Sequence, residues 1–345
     1  MSSTRNVLIV GIPRSGTTWV AKVLSSSPGC HYIHEPDNEK SYALAYSMKS
    51  TLHRYPYVCE GSSANSYYEL WKSAFEGKVL PKKINAFFRF FVMPRNEALE
   101  REIGAKCSCI HSSGCFKYVN NTRRRDDNVH HMKKFLGKRY SLASLSKFLT
   151  KRIVGESETT VIKSVHCLLS LPWLQEHFNS TIILVFRHPF NVISSYLKMG
   201  LPDAVRNIFS QRRLIDDHFS FIDPGCFRVY EEGSIIQKMA IQVGAFYYFL
   251  EKEVIKHPNW HIVFHEDLCI DSCAKYQRLY KKADLKWDED VKRFIEDSNR
   301  GGSGFSTSRI SKQEVQKWKT ILSKQQVREI SNSINMFNLR YYADL

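Results

Sequence analysis

The sequence predicts an α/β fold in which helices flank a parallel β-sheet. Short apolar runs bounded by turn or polar residues alternate along the chain with longer stretches of helical pattern. Strands that alternate with helices favour parallel pairing, because each crossover helix returns the chain to the same end of the sheet. The chain has 345 residues, of which 43% are hydrophobic, and this is enough for a substantial core.

The individual elements follow from these runs. Buried strands are predicted at residues 7–10, 160–162, 182–186 and 262–264, and helices at residues 17–25, 189–199 and 237–256. Residues 37–159 are less regular and richer in aromatic and basic side chains. We interpret this stretch as a largely helical insert that shapes the acceptor pocket of a single domain formed by residues 1–345.

The charge balance predicts an anionic partner. The chain carries 50 Lys and Arg against 34 Asp and Glu, a formal net charge of +16. Charge alone does not distinguish nucleic acid, a membrane surface and a phosphorylated ligand. No zinc finger, RNA-recognition motif or basic helix interleaved with aromatic residues is visible, so nucleic acid is the weaker choice.

The sequence favours the cytoplasm. No run approaches the roughly 18 consecutive apolar residues of a membrane span. If Met1 is the natural start, the apolar run at residues 7–10 leaves no room for a signal peptide. The nine cysteines lack the density of a disulfide framework, which fits reduced thiols.

One group of residues has ligands of the zinc type. Cys107, Cys109, His111 and Cys115 lie close together, but their spacing is not that of a common finger and no second half is clear. We therefore expect loop cysteines here, or a disulfide if the protein is exported, in preference to a zinc site.

The strongest local signal is a phosphate-binding loop at residues 10–19, Val-Gly-Ile-Pro-Arg-Ser-Gly-Thr-Thr-Trp. A buried strand, a glycine, four residues, a second glycine and a helix form the frame of a P-loop. Such a loop turns backbone N–H groups toward an anion at a helix N-terminus. The nucleotide-triphosphatase version requires lysine after the second glycine, but Thr17 stands there and a cation occurs inside the loop as Arg14.

A second anion site is predicted at the end of the run at residues 182–186. A kinase would place a magnesium-binding aspartate near such a strand end, but this strand ends in Arg187. An arginine there favours an anionic group over a metal ion. Ser195 lies about two helical turns further on, so Arg187 and Ser195 could grip one phosphate together.

These motifs resemble those of the superfamily of sulfotransferases that depend on 3′-phosphoadenosine-5′-phosphosulfate (PAPS). The residues that resemble its 5′-phosphosulfate loop are Pro13, Arg14, Ser15, Gly16, Thr17, Thr18 and Trp19. Arg187 through Tyr196 resemble its 3′-phosphate element, and residues 265–268, His-Glu-Asp-Leu, resemble its Tyr-Glu-Asp-Leu motif. Ser306, Thr307, Ser308 and Arg309 stand where members have a loop that closes over the cofactor. The similarity covers most of the chain, with residues 37–159 as the poorly matched part.

The resemblance implies a reaction. A sulfuryl group would pass from PAPS to a hydroxyl or amine of a small-molecule or carbohydrate acceptor, leaving adenosine 3′,5′-bisphosphate, without a metal ion. Cytosolic members usually carry lysine where Arg14 stands, and arginine is closer to the carbohydrate, tyrosylprotein and bacterial branches. An enzyme of bacterial type or of natural-product biosynthesis fits this pattern.

Four residues are predicted to carry the chemistry. Sulfuryl transfer requires positioning and charge stabilisation, and Arg14 is suited to the charge that develops on the leaving phosphate. Glu35, 21 residues after Arg14, resembles the catalytic glutamate of the carbohydrate and tyrosylprotein branches and is the first choice of general base; an apolar environment would raise its pKa to a useful range. His166 is the runner-up base, and Lys163 resembles the lysine that contacts the transferring group.

Two alternatives stay open at this stage. One is a P-loop kinase of small molecules, and the other is a non-catalytic protein that binds a nucleotide or another anion. The sequence also leaves open the identity of the acceptor and the oligomeric state.

Overall fold

The computed structural model describes residues 5–79, 158–222, 232–301 and 310–343, apart from residues 43, 44, 47, 48, 50 and 51. The strands are β1 (Arg5–Val10), β2 (Cys30–His34), β3 (Thr159–Ser164), β4 (Thr181–Phe186) and β5 (His261–Phe264). They form one parallel sheet in the order β2-β3-β1-β4-β5. The predicted α/β fold is therefore confirmed.

Helices surround this sheet. The first six are α1 (Thr17–Leu24), α2 (Asn65–Phe75), α3 (Leu171–His177), α4 (Pro189–Met199), α5 (Val205–Phe209) and α6 (Arg212–Leu214). The others are α7 (Ile235–Lys256), α8 (His265–Ile270), α9 (Ser272–Lys282), α10 (Glu289–Ser298), α11 (Ser311–Glu314) and α12 (Lys324–Asn335). Within the predicted insert at residues 37–159, α2 is helical, and residues 80–157 lie outside the described part.

The sheet is buried on both faces because its strands alternate between two apolar cores. Leu8 and Val10 of β1 face a core that includes α4, α7 and α12. Val7 and Ile9 face a second core built with α1, α9 and α10. Both faces of β1 are therefore covered, and this explains why its residues 7–10 form an unbroken apolar run.

The topology fixes where a ligand can bind. From β1 the chain goes to β2 and β3 on one side, and then crosses to β4 and β5 on the other. β1 is therefore flanked by connections that leave in opposite directions. In open α/β sheets, ligands bind in the crevice that such a reversal opens at the carboxyl ends of the strands.

None of the helices in the described part of the chain combines the length and the apolar character that crossing a bilayer requires.

Candidate active site

The loop between β1 and α1 has the close packing that a phosphate cradle requires. Gly16 adopts a left-handed conformation with φ 96° immediately before α1 begins at Thr17. A Cβ at Gly11 would lie 2.5 Å from the carbonyl oxygen of Val185, and a Cβ at Gly16 would overlap the His265 ring. The first turn of α1 contains no acidic residue and no side chain caps it. Its partial positive charge is thus available to an anion.

Gly16→Ala is expected to destabilise the protein by about 2–5 kcal/mol, since an L-residue is strained at this φ and its methyl group overlaps His265. The matched control is Gly200→Ala, at φ 58° with nothing within 4 Å of the added Cβ. There the backbone strain acts alone, and we expect a loss of about 1 kcal/mol. Urea unfolding of both variants measures the difference, and equal losses would contradict the overlap with His265.

Arg14 lies at the centre of a polar network. Its Nε donates to Ser195 Oγ at 2.9 Å, and its carbonyl oxygen accepts from Arg187 Nη1 at 3.0 Å. The structure thus brings together the three residues predicted to bind anions. Ser195 contacts Arg14 directly, and Arg14 links Ser195 to Arg187.

Arg187 is held in place by several groups. It is 7% exposed, and its Nη2 forms an ion pair of 3.0 Å with Glu314 Oε2. Tyr247 of α7 fixes its backbone, because the phenol accepts from the Arg187 N–H and donates to the Arg187 carbonyl oxygen. Arg187 Nε is buried and makes no hydrogen bond within the described residues. One donor of the guanidinium is therefore available to a ligand.

The motif at residues 265–268 helps to hold the backbone next to Arg187 in place. Glu266 accepts a hydrogen bond of 2.9 Å from the backbone N–H of His188, which follows Arg187. The side chain of Asn191 bonds the backbone of Val315 and of Trp318. These contacts fasten the C-terminal segment to the first turns of α4.

Trp19 of α1 contacts the end of α10 and the start of α8. Its indole N–H donates to Ser298 Oγ at 2.9 Å, and its ring meets His265 edge-on at a centroid distance of 5.9 Å. Burial, and then the charge of Arg187, lower the pKa of His265 well below its usual value. His265 is accordingly a neutral packing residue at neutral pH.

Glu35 follows β2 and meets the end of β3. Its backbone N–H donates to the Lys163 carbonyl oxygen at 2.6 Å, and its Oε1 forms a close ion pair with Lys163 Nζ. Its Oε2 accepts from Asn38 at 2.8 Å and lies 3.7 Å from His166 Nε2. The side chain is 13% exposed, against 4% for Lys163 and 2% for His166, so the carboxylate is the most open member of the group.

The pKa of Glu35 is shifted in the direction opposite to the one expected from the sequence. Burial alone would raise the pKa of the carboxyl, but His166 and the Lys163 ammonium outweigh burial and hold the pKa well below its usual range. The expected effect of burial on the pKa is present, but these two neighbours reverse its sign. Glu35 is ionised at neutral pH.

His166 is positioned through its backbone. Its N–H donates to Ser164 Oγ, which in turn donates to the buried Asp37 at 2.7 Å. Its ring packs against Tyr55 at a centroid distance of 5.4 Å, and neither ring nitrogen makes a hydrogen bond within the described residues. This arrangement directs the imidazole toward Glu35.

Backbone strain also concentrates here. Within the described residues, Arg14, Glu35, Asp284 and Asn338 are the non-glycine residues with positive φ. Asp and Asn tolerate the left-handed region, but Arg14 at 68° and Glu35 at 47° do so at a cost of about 1–3 kcal/mol each. Strain of this kind persists where function requires the geometry.

A cleft of about 900 Å³ connects these residues. It is lined by Pro13, Arg14, Gly16, Thr17, Thr18, Trp19, Glu35, Lys163, His166, Arg187 and Ser195, among others. Its described lining includes eight Lys and Arg against three Asp and Glu. Such an excess of positive charge attracts a polyanion.

Some predicted residues do not line this cleft or cannot be located. Ser15 is buried beneath the loop, and its hydroxyl has no hydrogen-bond partner within the described residues. Residues 306–309 and the group from Cys107 to Cys115 lie outside the described residues. Among the described residues, no cluster of three or more His, Cys, Asp or Glu could hold a metal ion.

Sequence reasoning missed three residues of the site. Glu314 pairs with Arg187, Ser298 bonds Trp19, and Tyr196 lines the cleft beside Ser195. Tyr196 directly follows Ser195 in the recognised element and could have been found there. No sequence pattern marks Glu314 or Ser298, because each contacts a partner that is distant in the sequence.

Comparison with known proteins identifies the family. A sequence model of the sulfotransferase family matches residues 6–289. Solved structures with a similar course include the sulfotransferase domain of the curacin biosynthetic pathway (13% identity, TM-score 0.45, covering 96% of this chain and 98% of that one). Sulfotransferase STF9 from Mycobacterium avium has 10% identity and a TM-score of 0.43 and covers 100% of this chain and 79% of that one. Retinol dehydratase in complex with retinol and PAP has 14% identity and a TM-score of 0.40, with 100% and 83% covered.

No curated protein sequence gives a significant match. The family model spans more than four fifths of the 345 residues, and the chain therefore belongs to the sulfotransferase family.

Proposed function

We propose that this sulfotransferase moves a sulfuryl group from PAPS to a hydroxyl or amine of a small-molecule or carbohydrate acceptor, without a metal ion. The observation that carries the proposal is the set of three cations, Arg14, Lys163 and Arg187, around one cleft at a P-loop that lacks its lysine. A donor with anionic groups at both its 5′ and 3′ ends matches this set. A protein that binds a nucleoside triphosphate with magnesium would instead have a lysine after the second glycine and an aspartate near a strand end. This chain has Thr17 and Arg187 at those places.

The described residues fit such a donor. The cradle is too tight for side chains at Gly11 and Gly16, so backbone N–H groups can approach an anion closely. Ser15 Oγ and Arg187 Nε are buried polar atoms without partners in the described part, and buried polar atoms normally have one. Arg14 and the backbone N–H groups at the start of α1 would bind the 5′ end of the donor, and Arg187 and Ser195 the 3′-phosphate.

The protein's part in the chemistry is electrostatic. When bound, PAPS supplies an activated sulfuryl group, whose bond to the 5′-phosphate breaks as its bond to the acceptor forms. Arg14 and the loop N–H groups stabilise the charge that grows on the leaving phosphate. Ser195 holds the Arg14 side chain in position through the contact at Nε.

Glu35 takes the acceptor proton in this proposal. It is more exposed than His166 and lies within the same cleft. Its low pKa keeps it unprotonated, but a carboxylate tightly paired with Lys163 is a weak base. If the anionic donor draws the Lys163 ammonium away, the pKa of Glu35 rises, although His166 still lowers it, and the base becomes stronger. Lys163 thereby couples donor binding to proton removal.

Calorimetric titration with adenosine 3′,5′-bisphosphate, without magnesium, tests the donor class. For the wild-type protein we expect a dissociation constant of about 1 μM or lower, which corresponds to a binding free energy of roughly −8 kcal/mol. Arg187→Ala should weaken binding by about 100-fold or more, because it removes a buried charge-assisted contact worth about 3 kcal/mol.

The control is Arg212→Ala, which removes an exposed arginine outside the cleft lining. It should leave the affinity unchanged. Stronger binding of ATP, and only with magnesium, would contradict the proposal and favour a kinase.

A further inference from the structure

We propose that the acceptor end of the cleft binds a negatively charged group on the acceptor, a carboxylate or a sulfate ester, through Lys40, Arg54 and Lys198. This inference rests on the proposed function and specifies the class of its acceptor. The three side chains line the same cleft as Glu35 and Lys163.

Lys198 and Arg54 reach this end from two elements that pack together. Lys198 lies in the last turn of α4, and the loop at residues 200–204 leads directly from there to α5. The backbone N–H of Tyr55 donates to Asn207 Oδ1 of α5 at 2.9 Å. Arg54, the residue before Tyr55, is therefore next in the chain to a residue bonded to α5, the helix to which the loop after Lys198 leads.

Lys40 reaches the same end from the side of the proposed base. Asn38 Nδ2 donates to Glu35 Oε2 at 2.8 Å, and the Lys40 backbone N–H donates to Asn38 Oδ1 at 3.1 Å. The side chain of Asn38 thus connects the backbone of Lys40 to the carboxylate of Glu35. An acceptor whose hydroxyl faces Glu35 would extend toward these cations.

The acidic groups at this end are already engaged. Asp203 accepts from the Val205 N–H at 3.2 Å at the start of α5. Glu39 is shared between Lys49 at 3.2 Å and Arg54 at 3.3 Å, so one carboxylate serves two cations. Glu35 is matched by Lys163. Counted as charges, the described lining at this end has two acidic groups, Glu35 and Asp203, and a larger number of cations, namely Lys40, Arg54, Lys163 and Lys198.

The donor does not account for this excess. Its anionic groups are matched in the proposed function by Arg14, Arg187 and Lys163, which lie at the P-loop and at the ends of β3 and β4. Met199, Leu201 and Pro202 add an apolar wall between α4 and α5. A rigid ring with an anionic substituent, as in an acidic saccharide unit, matches an apolar wall bordered by cations.

The test uses protein saturated with adenosine 3′,5′-bisphosphate and matched fluorescent probes. 4-Methylumbelliferyl glucoside and glucuronide differ in a carboxylate, and the N-acetylglucosaminide and its 6-sulfate differ in a sulfate ester. We expect the anionic member of at least one pair to bind about tenfold more tightly at low salt, since three partly exposed cations act together on its anionic group. The pair that shows the preference identifies the anionic group, and the preference should shrink as salt is added.

The triple variant Lys40→Gln, Arg54→Gln, Lys198→Gln should lose the preference and keep its affinity for adenosine 3′,5′-bisphosphate. Its matched control replaces Lys281, Lys282 and Lys324, which are exposed and lie outside the cleft lining. Equal affinity for neutral and anionic probes, including no binding of either, overturns the proposal, as does a preference that survives in the triple variant. Failure of the proposed function would appear separately, as loss of adenosine 3′,5′-bisphosphate binding by the wild type.

Discussion

Glu35→Gln is expected to lower kcat by about 10²–10⁴-fold, the range that a positioned general base contributes. The amide can keep the contact with Asn38 but cannot accept the acceptor's proton. Single-turnover transfer from PAPS measures the effect, and the affinity for adenosine 3′,5′-bisphosphate reports whether the donor site is intact. A loss of less than about threefold would exclude Glu35 and leave His166 as the base.

A second variant separates catalysis from stability. Glu35→Gln leaves the buried Lys163 ammonium unpaired, and such a loss typically destabilises by about 3–5 kcal/mol. The double variant Glu35→Gln, Lys163→Met removes both charges and should recover most of that stability, while its kcat stays low because Lys163 also belongs to the proposed catalytic group. Recovery of kcat with stability would show that the single variant was damaged in its fold.

The acid limb of the pH profile is a further readout of the same carboxylate. Because the folded pKa of Glu35 is depressed, its contribution to stability is complete above the usual carboxyl pKa and is lost as the pH falls through the lower folded value. kcat/KM of the free enzyme should likewise not fall on account of Glu35 until the pH is well below 4.5, the usual value.

Arg14→Ala is expected to lower kcat by about 10²–10³-fold, as does the loss of one preorganised donor to a developing charge. Ser195→Ala keeps the guanidinium but removes the contact at Nε, so we expect a smaller loss of about tenfold. kcat and KM for PAPS, measured separately, distinguish the roles. A higher KM with unchanged kcat would mean that Arg14 only binds the donor and does not stabilise the leaving phosphate.

Much of the fold could be predicted because the central strands are covered on both faces. β1 and β4 read as unbroken apolar runs, and their positions were predicted to within two residues. β2 was not predicted, because its sequence, Cys-His-Tyr-Ile-His, has no continuous apolar run. α7 begins at Ile235, two residues before the predicted start, where Ser234 and Gln237 form a capping box.

The site divides in the same way into local and distant parts. The P-loop and the element from Arg187 to Ser195 are each a continuous stretch of sequence. The spacing of residues within each stretch is therefore enough to predict that it binds an anion. The ion pair of Arg187 with Glu314 joins residues far apart, and no local pattern signals it. The direction of the Glu35 pKa depends on Lys163, which reaches it only because β2 pairs with β3. Charges that meet through tertiary structure leave no trace in sequence spacing.

The place of β1 in the sheet has a consequence for synthesis of the chain. β1 precedes the other described strands, but its neighbours are β3 and β4, and Arg5 pairs with Thr159 and Val7 with Thr181. Pairing over such separations is slow, because the closure entropy of a long loop opposes it before the contacts stabilise it. During translation at about 5–20 residues per second, the apolar β1 therefore waits about 10–35 seconds until both partners have been made. The strand that leads into the P-loop is made well before the two strands that pair with it, and in that interval chaperones and aggregation compete with folding.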